Sequence, residues 1–287
     1  MPKKKTIPVA ICYDFDGTLI RGNMQENSFI PELGVEKDDF WDEVKKEKEK
    51  HDMDEVLAYM KLMVRKAGEK NQPFNKQSLT KHGEFVSLFP GVKDWFAAIN
   101  EFGEKIGLDL EHYVISSGID DMIKGSPIGG EFKCIFASGF VYDANGVPSF
   151  AARSINYTTK TQYLFRINKG ILNSWDSNVN KVMPENKRPR PFSRMIYLGD
   201  GETDVPTMKM LNYQGGYSIA VYPPPKGKYR TKEEAEKKQL AENLQKDNRA
   251  QFVAEADYSK EKNLFKLVSA LLERIANEEN FGMNRKA

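Results

Sequence analysis

At 287 residues the chain exceeds one average domain, so one large domain or two smaller ones is expected. Hydrophobic residues make up 40% and charged residues 29%, an ordinary globular balance, and the net charge of +2 gives no basis for nucleic-acid binding. No stretch nears the roughly 20 apolar residues of a membrane span.

The basic start, Pro2-Lys3-Lys4-Lys5, resembles the first part of an export signal. The apolar run that follows, Ile7 to Tyr13, is short and ends at Asp14 without a small-residue cleavage site, so the expectation is a cytoplasmic protein. Cys12 and Cys134 sit in apolar, strand-like runs away from other Cys or His, as reduced core thiols do. His51, His82 and His112 are scattered at unrelated spacings, which argues against zinc. Any metal would be held by oxygen and would be a hard ion such as magnesium.

Ile7 to Tyr13 reads as a buried parallel strand. Gly22 to Leu88 has a different character, with apolar residues at helical spacing amid dense mixed charge. Val56, Leu57, Met60, Met63 and Val64 predict one face of a helix, and Asn75 can cap another. This segment is expected to be a small helical module inserted after the first strand. Pro90 and Gly91 break the chain before a helix striped by Val92, Trp95, Phe96, Ile99 and Phe102.

"HYVISSG" predicts a strand ending at Ser116, then a short helix from Ile119 to Ile123. "FKCIFASGFVYDANGVPSF" predicts a strand and hairpin turning at Asn145-Gly146. A helix with Tyr163, Leu164, Ile167 and Ile171 inward follows. "RMIYLGDGETD" is a strand leading to a loop and a helix from about Val205, and "GYSIAVY" is another strand. Pro223 to Asn248 reads as a loop and an exposed helix laid over the surface. "AQFVAEADY" gives a last strand and "NLFKLVSALLERIAN" an amphipathic closing helix. The alternation predicts an α/β fold, a Rossmann-like, largely parallel sheet flanked by helices. Residues 1–21 and 89–287 would form the core and 22–88 a helical cap.

In such a sheet ligands bind at the carboxyl ends of the strands. Asp14 and Asp16 stand at the first such end, Ser116 at the second, and Asp200 and Asp204 at a later one, with Lys160 opening a helix between. Carboxylates at a strand end are costly to desolvate unless something compensates. A divalent cation and a phosphoryl dianion sharing the site would do so. One carboxylate can act as a nucleophile and a neighbouring carboxyl as general acid and base. Magnesium would neutralise the phosphoryl oxygens, and a hydroxyl and an ammonium would bind the rest. Gly17 and Thr18 would turn backbone amides toward the phosphoryl group, and the Ser116-Ser117-Gly118 turn lies beside it.

With "DFDGTL", "VISSG", Lys160 in "TTKTQYLF" and "GDGETD" in this order, the chain resembles the haloacid dehalogenase superfamily, most closely its phosphoserine-phosphatase-like branch. The resemblance implies Asp14 as nucleophile and magnesium ligand. It implies Asp16 as acid/base with its backbone carbonyl on the metal. Ser116 and Lys160 would hold the phosphoryl group, Asp200 would ligate the metal, and Asp204 would support it directly or through water. An aspartate at position 16 favours phosphatases over the dehalogenases. The segment 22–88 would be the family's lid.

Phosphoserine-specific members carry a glutamate shortly after the first motif, where this chain has Asn23, Met24 and Gln25, with Glu26 just beyond. The segment between Lys160 and Asp200 is also long, which leaves Lys169, Lys181 and Lys187 as alternatives to Lys160. The expected activity is magnesium-dependent hydrolysis of a small phosphorylated metabolite. Phosphoryl transfer to an alcohol, or a non-catalytic phosphate-binding regulatory module, remain as alternatives.

Overall fold

The computed structural model of the chain describes residues 6–284; the basic stretch Pro2 to Lys5 lies outside the described residues. Seven strands form one sheet: β1 (Ile7–Tyr13), β2 (Leu108–Ile119), β3 (Cys134–Tyr142), β4 (Pro148–Arg153), β5 (Met195–Gly199), β6 (Tyr217–Tyr222) and β7 (Phe252–Glu255). Their order is β4-β3-β2-β1-β5-β6-β7, and every pair is parallel except the β3/β4 hairpin. The fold is thus the α/β, Rossmann-like sheet that the alternation of elements predicts.

The helices are α1 (Phe29–Glu32), α2 (Lys37–His51), α3 (Glu55–Glu69), α4 (Lys76–Gly83), α5 (Val92–Lys105), α6 (Asp120–Gly125), α7 (Tyr157–Lys169), α8 (Val205–Tyr213), α9 (Lys232–Lys246) and α10 (Asn263–Asn284). The two-residue period of β1 divides the interior into two cores. Val9, Ile11 and Tyr13 join one with α5 and α10, whereas Ala10 and Cys12 join the other with α7 and α8. Both sheet faces are therefore covered, as a parallel sheet requires. Both cysteines are free, Cys12 buried and Cys134 half-buried.

A chain of polar groups crosses this interior. Trp95 Nε1 donates to Tyr13 Oη (2.8 Å), so Tyr13 donates onward to His112 Nδ1 (2.9 Å). The opposite ring nitrogen then carries the proton and meets Asn100 Oδ1 at 2.9 Å. Burial pushes His112 down to about 3, so it stays neutral here.

Helices α1 to α4 lie between β1 and α5. Asn75 caps α4, its side chain accepting from Ser78 N at 2.8 Å. α4 meets α6 at two glycines: a Cβ on Gly83 would come within 2.0 Å of Met122 O, and one on Gly125 within 1.8 Å of Thr80 O. Backbone contact this close admits no side chain.

Four local expectations change. The buried face of α3 is rotated, with Val56, Tyr59, Met60 and Met63 inside and Val64 40% exposed. Strand β2 runs past Ser116 to Ile119, but its pairing with β3 breaks between Ile115 and Ile119, which leaves the turn sequence off the ladder. α7 stops at Lys169 because Gly170 takes a left-handed conformation (φ 68°), so Ile171 lies beyond the helix. α9 is not merely laid over the surface, since Ala241 and Leu244 are buried and anchor it to the core.

Candidate active site

The strand register assembles the site. Tyr13 pairs with Val114 on one side and Leu198 on the other, so Asp14, Ser116 and Asp200 emerge together at one edge of the sheet. This is where the strand order turns back on either side of β1, the usual ligand crevice of such sheets. Asp14 N donates to Leu198 O (2.8 Å), and its Oδ1 accepts from Phe15 N (2.7 Å).

From the first turn of α7, Lys160 reaches this point fully buried, its Nζ 3.0 Å from Asp14 Oδ2 and 2.7 Å from Asp204 Oδ1. Asp204 also accepts from Tyr197 Oη (2.7 Å) and Gly201 N (3.3 Å). Carboxylate oxygens of Asp14, Asp200 and Asp204 lie within 4.8 Å of one another. The alternative lysines are engaged elsewhere or point out. Lys169 donates to the carbonyls of Val179 (2.5 Å) and Lys181 (2.7 Å), and Lys181 and Lys187 are exposed.

Gly17 closes the loop under the acids. Its φ is +70°, and a Cβ there would lie 2.1 Å from Asp200 Oδ2, so neither the conformation nor the space allows a side chain. Thr18 is buried: its carbonyl accepts from Tyr258 Oη (2.8 Å), and its hydroxyl has no partner among the described residues. Ser116 is buried beside the acids and accepts from Gly118 N at 3.0 Å.

Asp16 lies beside Asp14 but is not one of these three converging carboxylates. Its Oδ1 accepts from Met24 N (2.8 Å), and the residue opens onto a cleft of about 300 Å³ that Ser117 and Gly118 also line. The rest of that cleft comes mainly from the inserted helices, including Gln25, Trp41, Lys45, Lys48 and Tyr59.

The electrostatics follow the crowding. Burial pushes Asp14 up to about 7, Lys160 opposing and Asp204 and Asp200 adding to the rise. Asp16 is raised well above the carboxylate range by burial and by Asp14 beside it. Burial raises Asp200 too, against the Lys237 ammonium 3.4 Å away. Burial alone would lower Lys160, but Asp14 and Asp204 together hold it above its ordinary value, so it remains a cation.

Sequence reasoning missed three contributors. Lys237 reaches Asp200 from α9, and its spacing to Ala241 and Leu244 (i, i+4, i+7) was the available signal for a buried face. Tyr197, mid-strand in β5, carries no signal of its own. Tyr59 donates from α3 to Ser117 O, which depends on how the inserted helices dock.

The inserted helices are also tied down at Asp54. This residue caps α3 through Val56 N (2.9 Å) and Leu57 N (3.1 Å), and accepts from Ser154 Oγ (2.8 Å) and Asn156 Nδ2 (3.1 Å) beside α7. Asp54→Ala should cost about 1–2 kcal/mol in denaturant unfolding, mostly the lost cap. It should also loosen the inserted helices over the cleft, read as roughly 3–10-fold faster amide hydrogen exchange in α3. Asp54→Ser keeps a capping oxygen but not the reach, so it should restore most of the stability and leave the exchange fast. Unaltered exchange in both variants would show that this tie does not hold the helices over the cleft.

No protein-family model matches the chain. It is 28% identical over 228 residues, 71% of this chain and 78% of the other, to an uncharacterized protein of Borreliella burgdorferi. A crystal structure of a HAD-family hydrolase from Salmonella enterica serovar Typhi superimposes with a TM-score of 0.52 at 17% identity, covering 75% of this chain and 63% of that one. A substrate-bound phosphoserine phosphatase superimposes with a TM-score of 0.51 at 14% identity, covering 92% and 98%. The parallel sheet, its strand-end acids and these superpositions together give the chain the fold of the HAD hydrolases, the one that phosphoserine phosphatases also adopt.

Proposed function

We propose that the protein is a magnesium-dependent phosphomonoester hydrolase that acts on a small phosphorylated metabolite through an aspartyl-phosphate on Asp14. The observation that carries this reading is the buried Lys160 ammonium held between Asp14 and Asp204 beside Asp200. Three converging hard oxygen donors without nitrogen or sulfur suit magnesium. Asp14, Asp200, Asp204 and the Asp16 backbone carbonyl would hold it, and when bound it supplies positive charge against the phosphoryl oxygens.

Asp14 attacks phosphorus, and the bond to the leaving oxygen breaks. Asp16, held protonated by its surroundings, gives its proton to the departing alcohol. Lys160 and the Ser116 hydroxyl bind phosphoryl oxygens; the Gly17 and Thr18 amides, expected to join them, instead donate within their own loop to Gly22 O (3.2 Å) and Phe15 O (3.3 Å). Asp16, now a carboxylate, takes a proton from the water that attacks the aspartyl-phosphate. Inorganic phosphate leaves and Asp14 is regenerated. The lid, residues 22–88, covers the leaving group and excludes bulk water. Cys12 and Cys134 suit a reducing compartment, in keeping with a cytoplasmic enzyme.

The test is hydrolysis of p-nitrophenyl phosphate. Turnover should need magnesium, vanish with a chelator and return when the ion is restored. Product analysis in competing alcohols should show inorganic phosphate, not transfer. Absence of turnover on a broad panel of phosphomonoesters would overturn the reading.

A further inference from the structure

We propose that the cleft selects phosphomonoesters whose leaving alcohol bears a second anionic group and no amine, with Lys45 binding the anion and Gln25 Oε1 accepting from a neighbouring hydroxyl. The inference rests on the hydrolase reading, in which Asp16 gives its proton to the leaving alcohol. Whatever lines the cleft beyond Asp16 then meets the leaving group. At about 300 Å³ the space suits a small metabolite.

The first observation is Gln25. It is 2% exposed, lines the cleft, and its Oε1 is buried without a hydrogen-bond partner among the described residues. Buried amides are nearly always satisfied, so an open one facing a cleft is a place for a ligand group. The open atom is the amide oxygen, an acceptor: it takes a proton donor such as a hydroxyl, but being neutral it cannot neutralise the charge of an ammonium.

The second observation is the charge balance. An ammonium-bearing leaving group needs an uncompensated carboxylate in the wall of the cleft, and neither nearby glutamate supplies one. Glu55 is ion-paired to Lys48. Glu26 is not among the residues lining the cleft: it turns to Trp41 Nε1 (2.8 Å) and Asn23 Nδ2 (2.8 Å), accepting from both and fixing the turn after the first motif. Lys45, nearly one helical turn before Lys48 on α2, also lines the cleft and has no ion-pair partner among the described residues. The lid side of the cleft thus offers one uncompensated cation and one open amide. Seating an amine there would bring like charges together; seating a carboxylate or second phosphate would pair Lys45.

The experiment compares kcat/KM with magnesium for 3-phosphoglycerate, glycerol 3-phosphate and phosphoethanolamine. The unaltered protein should favour 3-phosphoglycerate over glycerol 3-phosphate roughly tenfold, with phosphoethanolamine slowest. In Lys45→Met the ratio of the first two should fall to within about twofold. In Gln25→Glu the order should shift toward phosphoethanolamine. Preference for the amine ester in the unaltered protein, or selectivity unmoved by both substitutions, overturns the proposal. Calorimetric affinities for the same three esters keep the two readings apart: ranked binding without turnover removes the hydrolase and keeps the subsite, whereas turnover without ranking does the reverse.

Discussion

Replacing Asp14 by Asn should lower magnesium-supported hydrolysis of p-nitrophenyl phosphate by at least about 10³-fold, because the amide is no nucleophile and no other carboxylate occupies its place. The protein should nevertheless fold. Without a metal, the Asp14 carboxyl is pushed up to about 7 by burial and by Asp204 and Asp200, with Lys160 only partly offsetting them. A carboxyl whose folded value is raised binds its proton more tightly in the native state. Its contribution to stability is complete below the ordinary value near 3.8 and is lost as pH rises through about 7.

Metal-free wild-type protein should therefore lose stability between pH 5 and 8 through this group, by a few kcal/mol at most. Asp14→Asn should show less of that slope. Thermal unfolding in chelator at both pH values reads the difference. Magnesium should raise Tm at pH 8 more in the wild type than in the variant. Retained turnover in Asp14→Asn, measured free of host phosphatases, would remove the aspartyl-phosphate mechanism.

Lys160→Met should have the larger effect on stability. Lys160 is fully buried and is the ammonium paired with Asp14 and Asp204, two carboxylates that are themselves 4% and 0% exposed. Removing one partner of a buried ionic group leaves uncompensated charge and costs about 3–5 kcal/mol. The methionine roughly fills the same volume, so the loss is electrostatic rather than a cavity. Acidification should recover part of it by protonating the stranded carboxyls, and magnesium should do the same near neutral pH. Activity should fall together with stability. Lys169→Met is the contrast: Lys169 ties the loop carbonyls of Val179 and Lys181, so its loss should leave turnover within a few-fold of wild type. If Lys160→Met unfolds at the wild-type denaturant midpoint, the buried pair is not holding the site together.

The order of strands and helices and the identity of the strand-end acids could be read from the chain alone. A buried strand written Val9, Ile11, Tyr13 against Ala10, Cys12 is legible because alternation is local, and so is its abrupt end at two aspartates. Lys160 was separable from Lys169 only weakly, since both sit on helical sequence. Fully buried pairing with Asp14 and Asp204 on one side, and loop carbonyls on the other, is a long-range outcome.

Tertiary structure alone decided which face of the inserted helices is buried. Whether Val64 or Tyr59 points inward depends on how α3 docks, which no period in the sequence specifies to one residue. The same holds for Gln25, Lys45 and Lys237, ordinary polar residues in their own segments. Their surroundings are built by chain distant in sequence, Thr203 for Gln25 and Asp200 for Lys237, and a polar group acquires its meaning only from what it is placed beside.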